Sequence, residues 1–257
     1  MKGKVAIVTG GASGIGWACV EAFAQAGVSC VIADLDLAGG ERAEKKLQEA
    51  GTPGLFVKTS VSDSASVRHL VDATIEKFGR LDILVNNAGL QYVAPIDALP
   101  EERWDTLIGV MLTGAFLCCK YSLPHMIKQN WGRIVNISSV YGRVAVPFKG
   151  AYVTAKHALL GLTKVAALEH AEHGITSNAI CPAYVRTPMI EQQIANQAGI
   201  FGMTPEDVLK KIMLEPAAIK RMLEPSEVAA LVKYLCTDEA SGITGAALDI
   251  DAGWSAR

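Results

Sequence analysis

The sequence is short of aromatic residues, 6% of its 257 positions, and of net charge: 24 Lys plus Arg against 26 Asp plus Glu gives −2. No basic block stands out, which argues against nucleic acid as a main partner. None of the six cysteines (Cys19, Cys30, Cys118, Cys119, Cys181, Cys236) forms a C-x-x-C pair. Most fall in apolar strand or helix patterns, where a free thiol packs as a small hydrophobe. His69, His125, His157, His170 and His173 do not combine with cysteines or carboxylates into a signature such as H-E-x-x-H, so no metal site is expected. The first residues run straight into a strand-like segment, Lys4 to Val8, with no charged leader, cleavage site or bilayer-length apolar run. A cytoplasmic protein without membrane contact is expected.

Half of the residues are hydrophobic, enough for a substantial core. Short β-rich runs (Val5 to Thr9, Cys30 to Ala33, Leu55 to Lys58, Leu81 to Val85, Arg133 to Ile137, Thr176 to Ile180, Ala247 to Ile250) alternate with helical patterns. The helices are expected from about Gly14, over Gly40 to Ala50, Ser64 to Phe78, Trp104 to Met126 and Ala151 to His170, and from near Ser226. Such alternation predicts one α/β domain, 1–257, with a doubly wound parallel sheet covered by helices on both faces. Pro182, Pro188, Pro205 and Pro216 punctuate two short helical stretches, so a helical substrate lid is expected at about 188–216.

The first strand feeds Gly10-Gly11-Ala12-Ser13-Gly14-Ile15-Gly16 and then a helix. Gly10 permits a tight turn, Gly14 lets backbone approach a pyrophosphate, and Gly16 allows close helix packing. Amides at the start of that helix favour phosphate. Glycine loops serve many ends; the place between a first strand and a first helix is what points to a dinucleotide, held by Gly10, Ser13, Gly14, Ile15 and Gly16. Asp34 closes the second strand, where a carboxylate can accept both hydrogen bonds of an adenosine ribose diol and repel a 2′-phosphate, so NAD is expected. The plainer account of Asp34 is a turn residue or helix cap.

Tyr152 and Lys156 lie four apart and emerge on one helical face. An ammonium beside a phenol stabilises the phenolate, so a lowered tyrosine pKa is expected. Ser139, just past a strand, can donate to an alcohol or carbonyl oxygen held toward Tyr152. Taken alone, Tyr-x-x-x-Lys also fits surface packing with a snorkelling lysine.

Together, Thr9-Gly10-x-x-x-Gly14-x-Gly16, Asn86-Asn87-Ala88-Gly89, Ser139 thirteen residues before Tyr152, and Lys156 resemble the short-chain dehydrogenase/reductase family over nearly the whole chain. The resemblance implies a Rossmann-like domain, usually a homotetramer, with Tyr152 as acid/base, Lys156 on the nicotinamide ribose and Ser139 orienting substrate. It also implies that Asn87, Val185 and Thr187 contact the cofactor. Within the family, Asn87-Ala88-Gly89-Leu90-Gln91, Lys149-Gly150-Ala151-Tyr152, Val185-Arg186-Thr187-Pro188 and Trp254-Ser255-Ala256-Arg257 are similar to bacterial D-3-hydroxybutyrate dehydrogenases. That likeness implies a clamp for a small carboxylate made by Gln91, Tyr141, Lys149 and Gln193, Tyr141 standing where some members carry histidine. The chemistry agrees: a point charge, two amides and a hydroxyl can converge on one anion. A solvated loop lysine and two exposed glutamines are the plainer account.

Met111 stands where the family places an asparagine that supports a proton-carrying water chain, and a thioether cannot donate. The relay is expected to be rerouted or slowed, unless Thr113 substitutes. Ser60 replaces a common aspartate near the adenine, and Ala183 a usual glycine. Two other readings stay open: the same machinery acting on a sugar, steroid or carrier-bound oxo group, and a cofactor-binding protein whose turnover is impaired by Met111.

Overall fold

The computed structural model describes residues 1–256; Arg257 lies outside them. Seven parallel strands form one sheet in the order β3-β2-β1-β4-β5-β6-β7. They are β1 (Val5–Thr9), β2 (Ser29–Asp34), β3 (Gly54–Lys58), β4 (Ile83–Asn86), β5 (Gly132–Ile137), β6 (Ile175–Pro182) and β7 (Ala247–Ile250). The expected doubly wound Rossmann-like sheet is therefore present. Side chains on a strand alternate faces, and both faces here are apolar. Ala6, Val8, Cys30, Ile32, Ile83 and Val85 enter one core, under helices α1 (Gly14–Gln25) and α9 (Pro225–Leu235). Val5, Ile7, Val31, Ala33 and Leu84 enter the other, with residues of α3 (Ser64–Phe78) and α5 (Gly114–Lys128). The remaining helices are α2 (Leu37–Glu49), α4 (Glu101–Ile108), α6 (Gly150–His170), α7 (Pro188–Phe201) and the short α8 (Pro205–Val208).

Local chemistry sets the limits of these elements. Asp63 caps α3 by accepting from the Ala65 amide, and Gly79 ends it at φ +73°, a left-handed conformation glycine adopts without penalty. The sequence reading of one unbroken helix from Trp104 to Met126 needs correction: a five-residue π-turn, Gly109–Thr113, separates α4 from α5. Gly114, at the end of that turn, lies so close to the preceding loop that a Cβ would meet Val61 at 2.9 Å. The helical run Glu101–Lys128 is long and apolar enough to cross a membrane by length and composition, yet it buries Leu117, Cys118 and Met126 against the sheet.

The sheet order reverses beside β1, so the chain leaves β1 and β4 in opposite directions and a crevice opens at their carboxyl ends. The opposite end is stapled by Asp82, which is 0% exposed. It accepts from the Val5 amide at 2.9 Å and from two Arg80 nitrogens at 2.7 Å, with Lys4 Nζ at 3.4 Å. Removing a buried carboxylate leaves these donors uncompensated. Asp82→Ala is expected to lower unfolding stability by about 3 kcal/mol, read as an earlier urea midpoint with an unchanged slope; a loss below about 0.5 kcal/mol would remove the staple from the account.

Candidate active site

A cavity of about 270 Å³ lies in the crevice, lined by Gly10, Gly14, Asp34 and Asn87 at one end and by Ser139, Tyr152 and Lys156 at the other. Ser13, Ile15, Val185 and Thr187 also line it. Every expected cofactor residue except Gly16 thus borders one space, and Gly16 packs behind the loop, where a Cβ would sit 2.0 Å from the Gly10 carbonyl. Gly10 and Gly14 have φ of +62° and +54°, which a side chain would strain. The Asn87 amide donates to the Thr9 and Gly10 carbonyls at 2.9 and 3.2 Å, so it staples the loop to the end of β4. Asp34 accepts from the Ala12 and Asp36 amides, both at 3.1 Å, which fixes its carboxylate at the loop. The helix start, the glycine turns and an anchored carboxylate together fit a dinucleotide.

At the other end, α6 carries Tyr152 and Lys156 on one face. Lys156 is buried and donates to the Ile137 carbonyl at 2.7 Å, with its nitrogen 5.5 Å from the Tyr152 ring centre. Burial holds Lys156 down at about 8. Tyr152 departs from the expected lowering: burial pushes its phenol up to about 12, although the Ser139 hydroxyl pulls the other way. Desolvation of the phenolate outweighs that hydrogen bond in the free protein. A bound oxidised nicotinamide would supply a hydride acceptor and a positive charge at this end of the cavity. Ser139 Oγ accepts from the Tyr141 amide at 3.1 Å. The chain's own residues can therefore hold an oxygen near Ser139 and exchange its proton with Tyr152.

Beyond Tyr152 lies a compartment walled by aromatic rings. Lys149 is 5% exposed, and its nitrogen stands 5.0 Å from the Tyr141 ring centre and 6.0 Å from those of Tyr152 and Tyr184. It has no hydrogen-bond partner among the described residues, and burial lowers its pKa to about 8. The turn before it explains the inward aim: Phe148 has φ +67° and is exposed, and its carbonyl is held by the Ala94 amide at 2.9 Å. Trp254 packs edge-on against Tyr141 at 5.6 Å, and its indole nitrogen is buried and unpartnered as well. On α7, Gln193 is 6% exposed with both amide atoms unpartnered. The structure thus gathers Tyr141 and Lys149 beside Tyr152 and buries Gln193. Gln91 is half-buried on its loop. Sequence reasoning singled out neither Trp254 nor Tyr184 as a site residue. Trp254 had one signal, its place in the carboxyl-terminal motif; Tyr184 had none.

Met111 is 2% exposed and packs with Leu107, Ala151 and Ala155, so it fills apolar volume behind α6. Thr113 is exposed and does not take its place. Ser60 bonds Ser62 at 3.2 Å, and Ala183 avoids positive φ. All six cysteines are free and buried. Among the described residues no cluster of His, Cys, Asp and Glu could hold a metal ion.

Fold and site define an oxidoreductase built around a nicotinamide dinucleotide, NAD or NADP. A family model described as enoyl-(acyl carrier protein) reductase matches residues 10–255. An uncharacterized oxidoreductase, YxjF, of Bacillus subtilis is 42% identical over the full length of both chains. A D-beta-hydroxybutyrate dehydrogenase of Rhizobium meliloti is 41% identical over 99% of each. The crystal structure of an actinorhodin polyketide ketoreductase variant with NADPH superposes with a TM-score of 0.94 at 34% identity, covering 99% of this chain and 98% of that one. The chain belongs to the short-chain dehydrogenase/reductase family.

Tyr152→Phe keeps the ring and removes the group that exchanges a proton. Turnover is expected to fall at least about a hundredfold with cofactor affinity nearly unchanged. Steady-state rates and fluorescence titration with the dinucleotide check this; a loss under tenfold would take the proton away from Tyr152.

Proposed function

We propose that the protein reversibly oxidises a small 3-hydroxy acid, D-3-hydroxybutyrate first among them, to its 3-oxo acid with NAD. The observation that carries the reading is the compartment beside Tyr152: Lys149 Nζ and the Trp254 indole nitrogen are donors, both buried, both without an acceptor. Buried polar groups are ordinarily paired, and an ammionium most of all. The partner that suits this set is an anion small enough to lie beside the reacting carbon. A bound oxidised nicotinamide would supply the hydride acceptor and a positive charge that favours the Tyr152 phenolate, and that phenolate takes the proton of the substrate hydroxyl. Ser139 orients the oxygen, and Lys156 holds the nicotinamide ribose. Lys149 takes the carboxylate with Tyr141, Trp254, Gln91 and Gln193. Gln193 rides on the helical segment 188–216, which acts as the lid, so substrate binding and closure are coupled.

Asp34 favours NAD, since its anchored carboxylate repels a 2′-phosphate. Glycine-loop contacts fall to Gly10, Ser13, Gly14, Ile15 and Gly16, and the nicotinamide side to Asn87, Val185 and Thr187. The name of the Rhizobium meliloti relative supports the substrate. Six free cysteines support a cytoplasmic protein, and family resemblance a homotetramer, which light scattering would read as about four times 27.2 kDa. A second reading, a neutral or carrier-bound oxo substrate, draws on the description of the matching family model and on the ketoreductase.

NAD reduction with R-3-hydroxybutyrate, its S enantiomer and a neutral secondary alcohol separates these readings. Selective turnover of the R acid is expected; comparable turnover of the neutral alcohol would displace the proposal, and no turnover despite NAD binding would favour a protein impaired by Met111.

Lys149 also dictates a pH dependence. With a pKa lowered to about 8, it binds the carboxylate as a cation below that pH and loses its charge above it. The ratio of the acid's Michaelis constant to that of a neutral substrate should rise as pH passes through about 8, because titration of Lys156 in the same range acts on both substrates alike. Lys149→Ala should raise the acid's Michaelis constant more than about tenfold at pH 7 and abolish the inflection. Equal effects on acid and neutral substrates would take the carboxylate away from Lys149.

A further inference from the structure

We propose that Tyr184 is a positioning residue acting through Tyr141: its hydroxyl donates to Tyr141 Oη and so leaves the Tyr141 proton free for the acid group of the substrate. This deepens the reading of the compartment given above and rests on it. The two phenol oxygens are 2.8 Å apart. A phenol has one proton to give, so only one of the pair donates across that bond and the other keeps its proton for something else. If Tyr141 donated to Tyr184, its oxygen would present only lone pairs to the compartment, the opposite of what Lys149 and Trp254 offer there. If Tyr184 donates, Tyr141 becomes a third donor beside the Lys149 ammonium and the Trp254 indole, and all three suit one anion.

The surroundings favour the second arrangement. Lys149 Nζ stands 5.0 Å from the Tyr141 ring centre yet makes no hydrogen bond to the Tyr141 oxygen, so the lone pair of that oxygen is left for the Tyr184 hydroxyl. Tyr184 is anchored on its own side. Its carbonyl accepts from the Leu223 amide at 2.9 Å, and its side chain packs against the apolar cluster of Ile194, Val208, Met213, Leu214 and Met222 in the segment after β6. That ring meets Tyr141 edge-on at 6.4 Å. Tyr184 therefore joins the core of the helical segment carrying Gln193 to the ring nearest Lys149.

The test is a double-mutant cycle on hydroxyls alone, Tyr184→Phe, Tyr141→Phe and both, each variant keeping its rings and checked for an unchanged melting temperature. Two quantities are read: the Michaelis constant for R-3-hydroxybutyrate, and the affinity of acetate for the enzyme with NADH by calorimetry. Tyr184→Phe should weaken both roughly fivefold, the size of one hydrogen bond, with kcat within about twofold. Tyr141→Phe should weaken them at least as much, and the double variant should match Tyr141→Phe, because a group acting through another adds nothing once that other is gone. Additive losses would make Tyr184 a direct contact, and an unchanged Tyr184→Phe would remove its role; either overturns the proposal. Wild type that binds acetate without oxidising hydroxybutyrate sinks the proposed function and leaves the acetate cycle to judge Tyr184. Wild type that oxidises the R acid without binding acetate leaves the Michaelis-constant cycle to judge Tyr184, and wild type that does neither sinks both.

Discussion

The site depends on holding two ammonium groups out of water within reach of one phenol. Moving an ammonium from water into protein costs several kcal/mol unless something replaces its hydration. For Lys156 the replacement is the Ile137 carbonyl at the end of β5, 2.7 Å away. That bond requires α6 to dock tightly on the strand, and the turn after β5 is built for it. The Ser138 hydroxyl donates to the Lys156 carbonyl at 2.8 Å, and a Cβ on Gly142 would collide with both Ser138 and that carbonyl. Tyr152, one helical turn earlier on the same face, is placed by the same docking. Lys149 is treated differently: three aromatic faces surround it, and cation–π contacts return part of the lost hydration without satisfying any N–H.

This contrast separates a lysine that is finished within the protein from one that is not. Lys156 has a fixed acceptor and keeps its position whatever fills the cavity. Lys149 is held loosely by ring faces and stays available to a ligand carrying acceptor oxygens. Backbone strain enters at the same place: Phe148 occupies a left-handed conformation that a bulky side chain adopts only when its surroundings impose it. Here the imposing contact is the Ala94 amide on the Phe148 carbonyl, which turns Phe148 outward and Lys149 in. The fold thus spends stability on aiming one side chain, while Asp82 secures the far end of the sheet.

How much of this was legible in the sequence follows from how local each signal is. The glycine loop, Asp34, the capped helix Ser64–Phe78 and the Tyr152–Lys156 spacing are fixed by neighbours within a turn or two, and the structure places them as read. The break at Gly109–Thr113 was not legible, because helical periodicity is nearly the same on either side of one inserted residue. The direction of the Tyr152 shift was misjudged for a related reason: spacing reveals the lysine but not the depth of burial that dominates it. Tyr141, Lys149, Tyr184 and Trp254 come from four separate segments. Their convergence is a tertiary fact, visible beforehand only where a motif resemblance flagged individual members.

A compartment that offers donors and few acceptors also bears on selectivity within a family whose members share the rest of the machinery. A neutral alcohol of the same size would leave Lys149 and Trp254 buried and unpaired, and a site built to satisfy polar groups can disfavour such an analogue by factors on the order of 10⁴. The discrimination then arises from the unpaired state of the protein rather than from attraction alone, which is why the aromatic walls matter as much as the charge: they exclude the water that would otherwise satisfy both donors. Tyr141 in place of histidine fits the same logic. A histidine can offer either a donor or an acceptor according to its tautomer, whereas in the arrangement proposed for the pair at 2.8 Å a phenol whose lone pair is engaged by Tyr184 offers only its proton. In that arrangement the hydrogen bond between the two tyrosines converts an ambivalent group into a committed one, and ties that commitment to the apolar cluster against which Tyr184 packs.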